Sequence, residues 1–199
     1  MARGFWGIIK LAVFILLLPA VAAVLIGFQK ELQTVSNGGN FFWWGVIAYT
    51  VFHLFIFTPQ EIFRFWQGVF MEVCAFAGRA SNLIVTAVPI MTTVLLLLYF
   101  LVAVVFRQTW GQESLIFLAG FTISLHVILS AQELYEADET RLKGHYLLNL
   151  ALTFMVNVII LTALLDMVFQ KFSFWSFGEN AWSAAEQIYS RLLHTAGIR

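Results

Sequence analysis

Long runs of apolar residues, separated by short polar breaks, dominate the chain, and each run long enough to cross about 30 Å of hydrocarbon reads as a helix. Four such runs are Phe5–Phe28, Phe41–Phe57, which is short with aromatic ends, Leu83–Phe106 and Tyr146–Phe169. A fifth, Ser114–Ala131, is shorter than the three longest of these and continues in polar form through Gln132 and Glu133. The stretch Gln60–Gly78 is different, because Glu61, Arg64, Gln67 and Glu72 form a partial polar stripe among Ile62, Phe63, Phe65, Trp66, Phe70 and Phe76. A helix with such a stripe crosses, re-enters or lies at the interface, hiding its polar side against a partner. The expected fold is therefore all-α: an integral membrane bundle of five or six transmembrane helices.

The breaks carry turn chemistry. Ser36-Asn37-Gly38-Gly39-Asn40 ends the first loop, Gly78 precedes a helix start at Ser81-Asn82, and the longest polar loop runs from Gln132 to Lys143. No internal repeat is visible, so residues 1–171 form one transmembrane domain. Beyond Lys171 the pattern changes. Phe172, Phe174, Trp175 and Phe177 suit the headgroup level, where amphipathic rings collect. From Glu179 a helix places Trp182, Ala185, Ile188 or Tyr189, Leu192 and Ala196 on one face, with Glu186, Gln187, Ser190 and Arg191 largely on the other. Residues 172–199 are thus expected to be an interfacial amphipathic tail on the membrane or on a partner subunit, with Trp175, Trp182 and Leu192 as contact residues.

Composition sharpens this picture. Apolar residues make up 61% of 199 positions and charged residues 11%, and the mean hydropathy is +0.86, which calls for lipid as solvent. A formal net charge of zero with no basic run excludes nucleic acid as a partner. The single cysteine, Cys74, reads as a buried structural thiol. Arg3 and Lys10 before Leu11–Gly27, with Ala20-Val21-Ala22, resemble a signal peptide, but the apolar stretch is long enough to span and is read as a retained helix. With five spans, Arg3, Lys10, Arg64, Arg79, Arg141 and Lys143 face one side and Lys30, Arg107, Lys171, Arg191 and Arg199 the other, too even a split to orient the chain.

Ionisable groups at membrane depth are costly, about 2.5–3.5 kcal/mol on insertion scales, so His53, Glu61, Arg64, Glu72, His126 and Asp166 are the intramembrane polar candidates. Lys10 and Asp166 lie near segment ends, where snorkelling explains them. Glu61 and Arg64, three apart, can neutralise each other. His53 and His126, on separate apolar helices, are each read as a hydrogen-bonded core histidine, with shared haem or metal ligation as the sharper alternative. No metal site is expected, because no His-x-x-x-His, Cys-x-x-Cys or His-Glu-x-x-His spacing occurs. Asn149 and Asn157, eight apart, are expected to join the last long helix to a neighbour through interhelical hydrogen bonds. Ser124 and Ser130 have no base-and-orienter pattern around them, so no catalytic residue is assigned.

The order of segments over roughly residues 41–165 resembles a divergent bacterial branch of the M50-type membrane metallopeptidases, the site-2 protease class. The likeness rests on Thr58-Pro59 ending a short helix, a helix in the place of the zinc-site helix, Ser81-Asn82-Leu83-Ile84-Val85-Thr86-Ala87-Val88-Pro89, Gly120-Phe121-Thr122-Ile123-Ser124-Leu125-His126, and Glu136-Ala137-Asp138 leading to Gly144 and Asn157. That family binds zinc through His-Glu-x-x-His, whereas the corresponding helix is Ile62-Phe63-Arg64-Phe65-Trp66-Gln67-Gly68-Val69-Phe70, with no histidine. Asp138 would match a remaining ligand position, and one carboxylate cannot hold a catalytic zinc. The resemblance implies a catalytically dead relative, without cofactor, in a bacterial inner membrane.

Three functions follow. The leading expectation is a non-enzymatic accessory or scaffold subunit contacting membrane lipids and other membrane protein subunits. The alternatives are a transporter or channel component with a polar path through Glu61, Arg64 and Glu72, and a haem- or metal-binding enzyme using His53 and His126.

Overall fold

The computed structural model describes residues 2–55, 60–80, 87–106, 111–138, 143–195 and 197. Its elements are α1 (Ala2–Leu32), α2 (Gly38–Phe55), α3 (Gln60–Val73) followed by a 3-10 segment (Ala75–Ala80), α4 (Ile90–Phe106), α5 (Gln112–Ala137), α6 (Gly144–Val168) and α7 (Phe174–Thr195). No strand occurs among the described residues. Thr58-Pro59, residues 81–86 and the part of the polar segment containing Arg141 lie outside them.

Three helices are long and apolar enough to cross a membrane: Trp6–Leu32, Gln112–Ala137 and Gly144–Val168. This is fewer than the expected five or six. The shortfall lies in α2, which with its Asn40, Trp43, Trp44 and His53 counts as a crossing only together with α3, and in α4, whose 17 residues reach only about 26 Å at 1.5 Å per residue. The run expected from Leu83 is shortened because its helix α4 begins at Ile90, just after Pro89. Proline lacks the N–H that a helix interior needs. α2 and α3 together would count as a fourth, broken crossing, but their axes differ by 120°.

Contacts fix the helix directions. Gly7 meets Gly144 at one end, called the first end, and Thr34 donates to the Lys171 carbonyl at the other, so α1 and α6 run parallel. Tyr135 against Tyr146, with ring centroids 5.4 Å apart, makes α5 antiparallel to α6. α2 runs parallel to α5, since Gly38 faces Ile116 and Tyr49 meets the Phe121 ring edge-on at 5.1 Å.

The α2–α5 crossing is the most extensive helix pair, and its closeness has a specific cause. Gly45 abuts the Phe117 carbonyl and Gly120 abuts the Phe42 carbonyl, so the two glycines admit each other's backbones. In lipid, where apolar side chains gain little by leaving the solvent, such small-residue approach is a main source of helix association. One apolar core surrounds this crossing and α1, α4, α6 and α7, with Phe28, Leu32, Leu96, Ile116, Leu161 and Leu165 among its members. A second, at the first end, gathers Tyr49, Phe63, Leu125 and Leu129.

α7 packs lengthwise and antiparallel on α1. Its inner face is Phe177, Ala181, Ala184 and Ile188, which leaves Trp182 and Leu192, the residues expected to meet lipid or a partner, exposed. Close packing explains the choice, because Gly27 of α1 sits directly against Ala181 and the Phe177 carbonyl, leaving no room there for an indole.

Candidate functional site

Two polar regions stand out, one at each end of the bundle. At the second end, Glu31 is only 2% exposed although it follows the apolar run of α1 directly. Its carboxylate accepts hydrogen bonds from the Ser176 hydroxyl at 2.7 Å, the Asn180 amide at 3.1 Å and the Ser173 backbone N–H at 3.3 Å. Ser173 also caps α7, its hydroxyl accepting from the Ser176 N–H at 3.2 Å. A carboxylate at the N-terminus of α7 meets the positive end of the helix dipole as well as three donors. Glu31 is therefore the clasp that holds α7 to α1. Glu31 is not among the residues the sequence singles out. The available signal was Ser173 three residues before Ser176 at a helix start, which calls for an acceptor but does not say from where.

The clasp sets the depth of everything on α7. Asn180 lies beside Glu31, Ala181 beside Gly27, and the Tyr189 hydroxyl donates to the Leu16 carbonyl at 2.6 Å. Glu186 consequently stands between the levels of Gly27 and Leu16, in the middle of the Trp6–Leu32 crossing. The outer face of α7 carries Trp175, Glu179, Trp182 and Glu186, spaced four, three and four residues apart and all exposed. Trp175 is 77% and Trp182 76% exposed, and Leu192 is exposed on the neighbouring flank. Trp175 donates its indole N–H to Glu179 at 2.9 Å. Ser183, Gln187 and Ser190 flank the strip, also exposed.

At the first end, the last turns of α5 meet α3. Gln67 donates to Glu133 at 3.2 Å and Gln132 to Glu136 at 3.2 Å, in a cleft lined by Gln60, Phe63, Arg64, Leu129, Gln132, Glu133 and Glu136. Below it His126 is buried, 5.6 Å from the Phe63 ring, with its Nε2 3.4 Å from the Ser130 hydroxyl. Asp138 is buried and accepts the Tyr146 backbone N–H at 2.8 Å, capping the first turn of α6. Lys143 donates to the Tyr135 and Asp138 carbonyls and lies 4.1 Å from the Tyr135 ring centroid. Lys10 contacts His145 Nδ1 at 2.6 Å, joining α1 to α6 at this level.

The remaining candidates scatter. Glu61, Arg64 and Glu72 are exposed on α3 and Asp166 is exposed on α6. His53 is half-buried on α2, its Nδ1 without a partner and its ring 5.9 Å from Tyr49. Asn149 and Asn157 part company: eight residues turn a helix by about 80° beyond two full turns, so Asn149 faces out while Asn157 is 0% exposed. Neither polar atom of the Asn157 amide has a hydrogen-bond partner. Among the described residues no group of three or more His, Cys, Asp or Glu side chains is placed to hold a metal ion. No family model, curated protein or solved structure matches the chain.

Proposed function

We propose that the protein is a non-enzymatic, multi-pass accessory subunit of a bacterial inner-membrane complex, and that it binds a second membrane protein through the outer face of α7. One observation carries this reading: Glu186 projects outward at mid-depth beside the apolar crossing of α1. A carboxylate facing acyl chains at that depth costs several kcal/mol, and lipid offers it no donor. A neighbouring helix bearing a basic or hydrogen-bonding residue does. Trp175 and Trp182 on the same strip belong to the residue type that most often anchors protein interfaces. The polar path through Glu61, Arg64 and Glu72 has less support, since Glu61 and Glu72 stand on the outside of α3 and only Arg64 borders the cleft toward α5. A catalytically silent member of the metallopeptidase class is compatible with this role and adds nothing to the α7 argument.

A photo-crosslinking amino acid at Ser183 or Trp182 of the protein in its native membrane tests the reading. A discrete adduct from these positions, absent when the same group is placed at Leu101 or Val105 on the exposed side of α4, is expected. Adducts with lipid alone from both sets would overturn it.

A further inference from the structure

α3 has three chemical faces rather than two. At 100° per residue, Phe63, Gln67, Phe70 and Cys74 share one face. That face meets the bundle: Phe63 and Cys74 are buried and Gln67 reaches Glu133. Ile62, Phe65, Val69 and Val73 form a second strip, continued by Phe76 of the 3-10 segment, all exposed and the last 88% so. Glu61, Arg64, Gly68 and Glu72 form a third strip, also exposed. A crossing helix needs no charged strip, and a helix in water has no use for a row of bare phenylalanine and valine. The boundary between the two solvents satisfies all three faces at once.

Position agrees with chemistry. α3 meets α5 at His126, Leu129 and Glu133, the last of these only four residues before α5 ends at Ala137. The same level holds Tyr135, Tyr146, Lys10 and His145, a ring of aromatic and basic groups suited to headgroups. The 120° turn between α2 and α3 brings α3 within 30° (120 − 90) of perpendicular to α2.

We infer that α3 is an interfacial anchor that binds the lipid surface at the first end of the bundle. Its Ile62–Phe65–Val69–Val73–Phe76 strip enters the acyl region, while Glu61, Arg64, Gly68 and Glu72 stay in water. The occupant of the apolar strip is the bilayer itself, because the strip continues from the lipid-exposed sides of the bundle and lies level with its headgroup ring. On this inference the α2–α3 pair is not a broken crossing, and α3 places a row of charges on the membrane surface.

Nitroxide labels on single cysteines in a Cys74→Ser background, with the whole protein in phosphatidylcholine–phosphatidylglycerol vesicles, give the test. Labels at Phe65, Val69 and Val73 are expected to collide several-fold more with oxygen than with a water-soluble nickel chelate. Labels at Glu61, Gly68 and Glu72 are expected to show the reverse. Oxygen preference at all six would make α3 a crossing helix, and nickel preference at all six an aqueous one. Shielding of the Phe65–Val73 set from both reagents would place a protein there, and each of these results overturns the inference. Should Cys74→Ser not fold, a photo-crosslinker in the wild-type background at Val69 should add one phospholipid mass, and at Gly68 none. Equal lipid adducts, or none at either, would count against it.

Discussion

The α2–α5 crossing and the α1–α7 pair are both close helix contacts built on glycine, yet they differ in what they leave unsatisfied. Around α2–α5 the glycines interlock backbones and the surrounding side chains form a closed apolar core. Along α1–α7 the inner face is equally tight and Glu31 adds three hydrogen bonds. The outer face, however, exposes two tryptophans and two glutamates beside a membrane crossing. The first contact completes the fold and the second presents something. That contrast is what separates the two regions here, since only α1–α7 aims a carboxylate, that of Glu186, outward at the middle of an apolar helix.

The comparison can be broken most severely at its closed half. Gly120→Leu drives a side chain into the Phe42 carbonyl and should cost at least about 3 kcal/mol, read as loss of a monodisperse peak in detergent. A variant that stays folded with an unchanged melting temperature would mean that the crossing is looser than described. Glu31→Ala comes next. It strands the Ser173, Ser176 and Asn180 donors and should destabilise by about 2–3 kcal/mol, with hydrogen exchange rising in α7 while α2 and α5 keep their protection. Asn157→Leu acts in the opposite direction, because the buried amide has no partner. Replacing it with an apolar group of similar size should raise stability by roughly 1–2 kcal/mol, and a fall in melting temperature would show that the amide does bonding work. Smallest in stability is Trp182→Ala, within about 0.5 kcal/mol for an exposed residue. Its expected effect is loss of the α7 crosslink rather than of the fold.

Much of the outline was legible without coordinates. α1, α5 and α6 follow from apolar runs too long to be anything but lipid-solvated helices, and the amphipathic character of α7 follows from its spacing. What escaped has a common cause, namely that partner choice depends on residues far apart in the chain. Gly45 and Gly120 look like ordinary interruptions until α2 and α5 lie side by side. Glu31 looks like one more polar residue after an apolar run until Ser176 and Asn180 fold back on it from the far end of the sequence. The inner face of α7 was not visible in the sequence, because Ala181 and Ala184 carry little weight in a pattern until Gly27 of α1 lies against them. For Asn149 and Asn157, expected to act together at eight residues' spacing, the residual turn of about 80° is large enough to separate surface from core.

The direction of α7 along α1 has a consequence for how the chain is wired across the bilayer. Because the last helix doubles back toward the start of the first, Ala2 and Thr195 finish toward the same end of the bundle. Complementary halves of a split fluorescent reporter fused before α1 and after α7 should therefore assemble in cells, whichever way the protein is inserted.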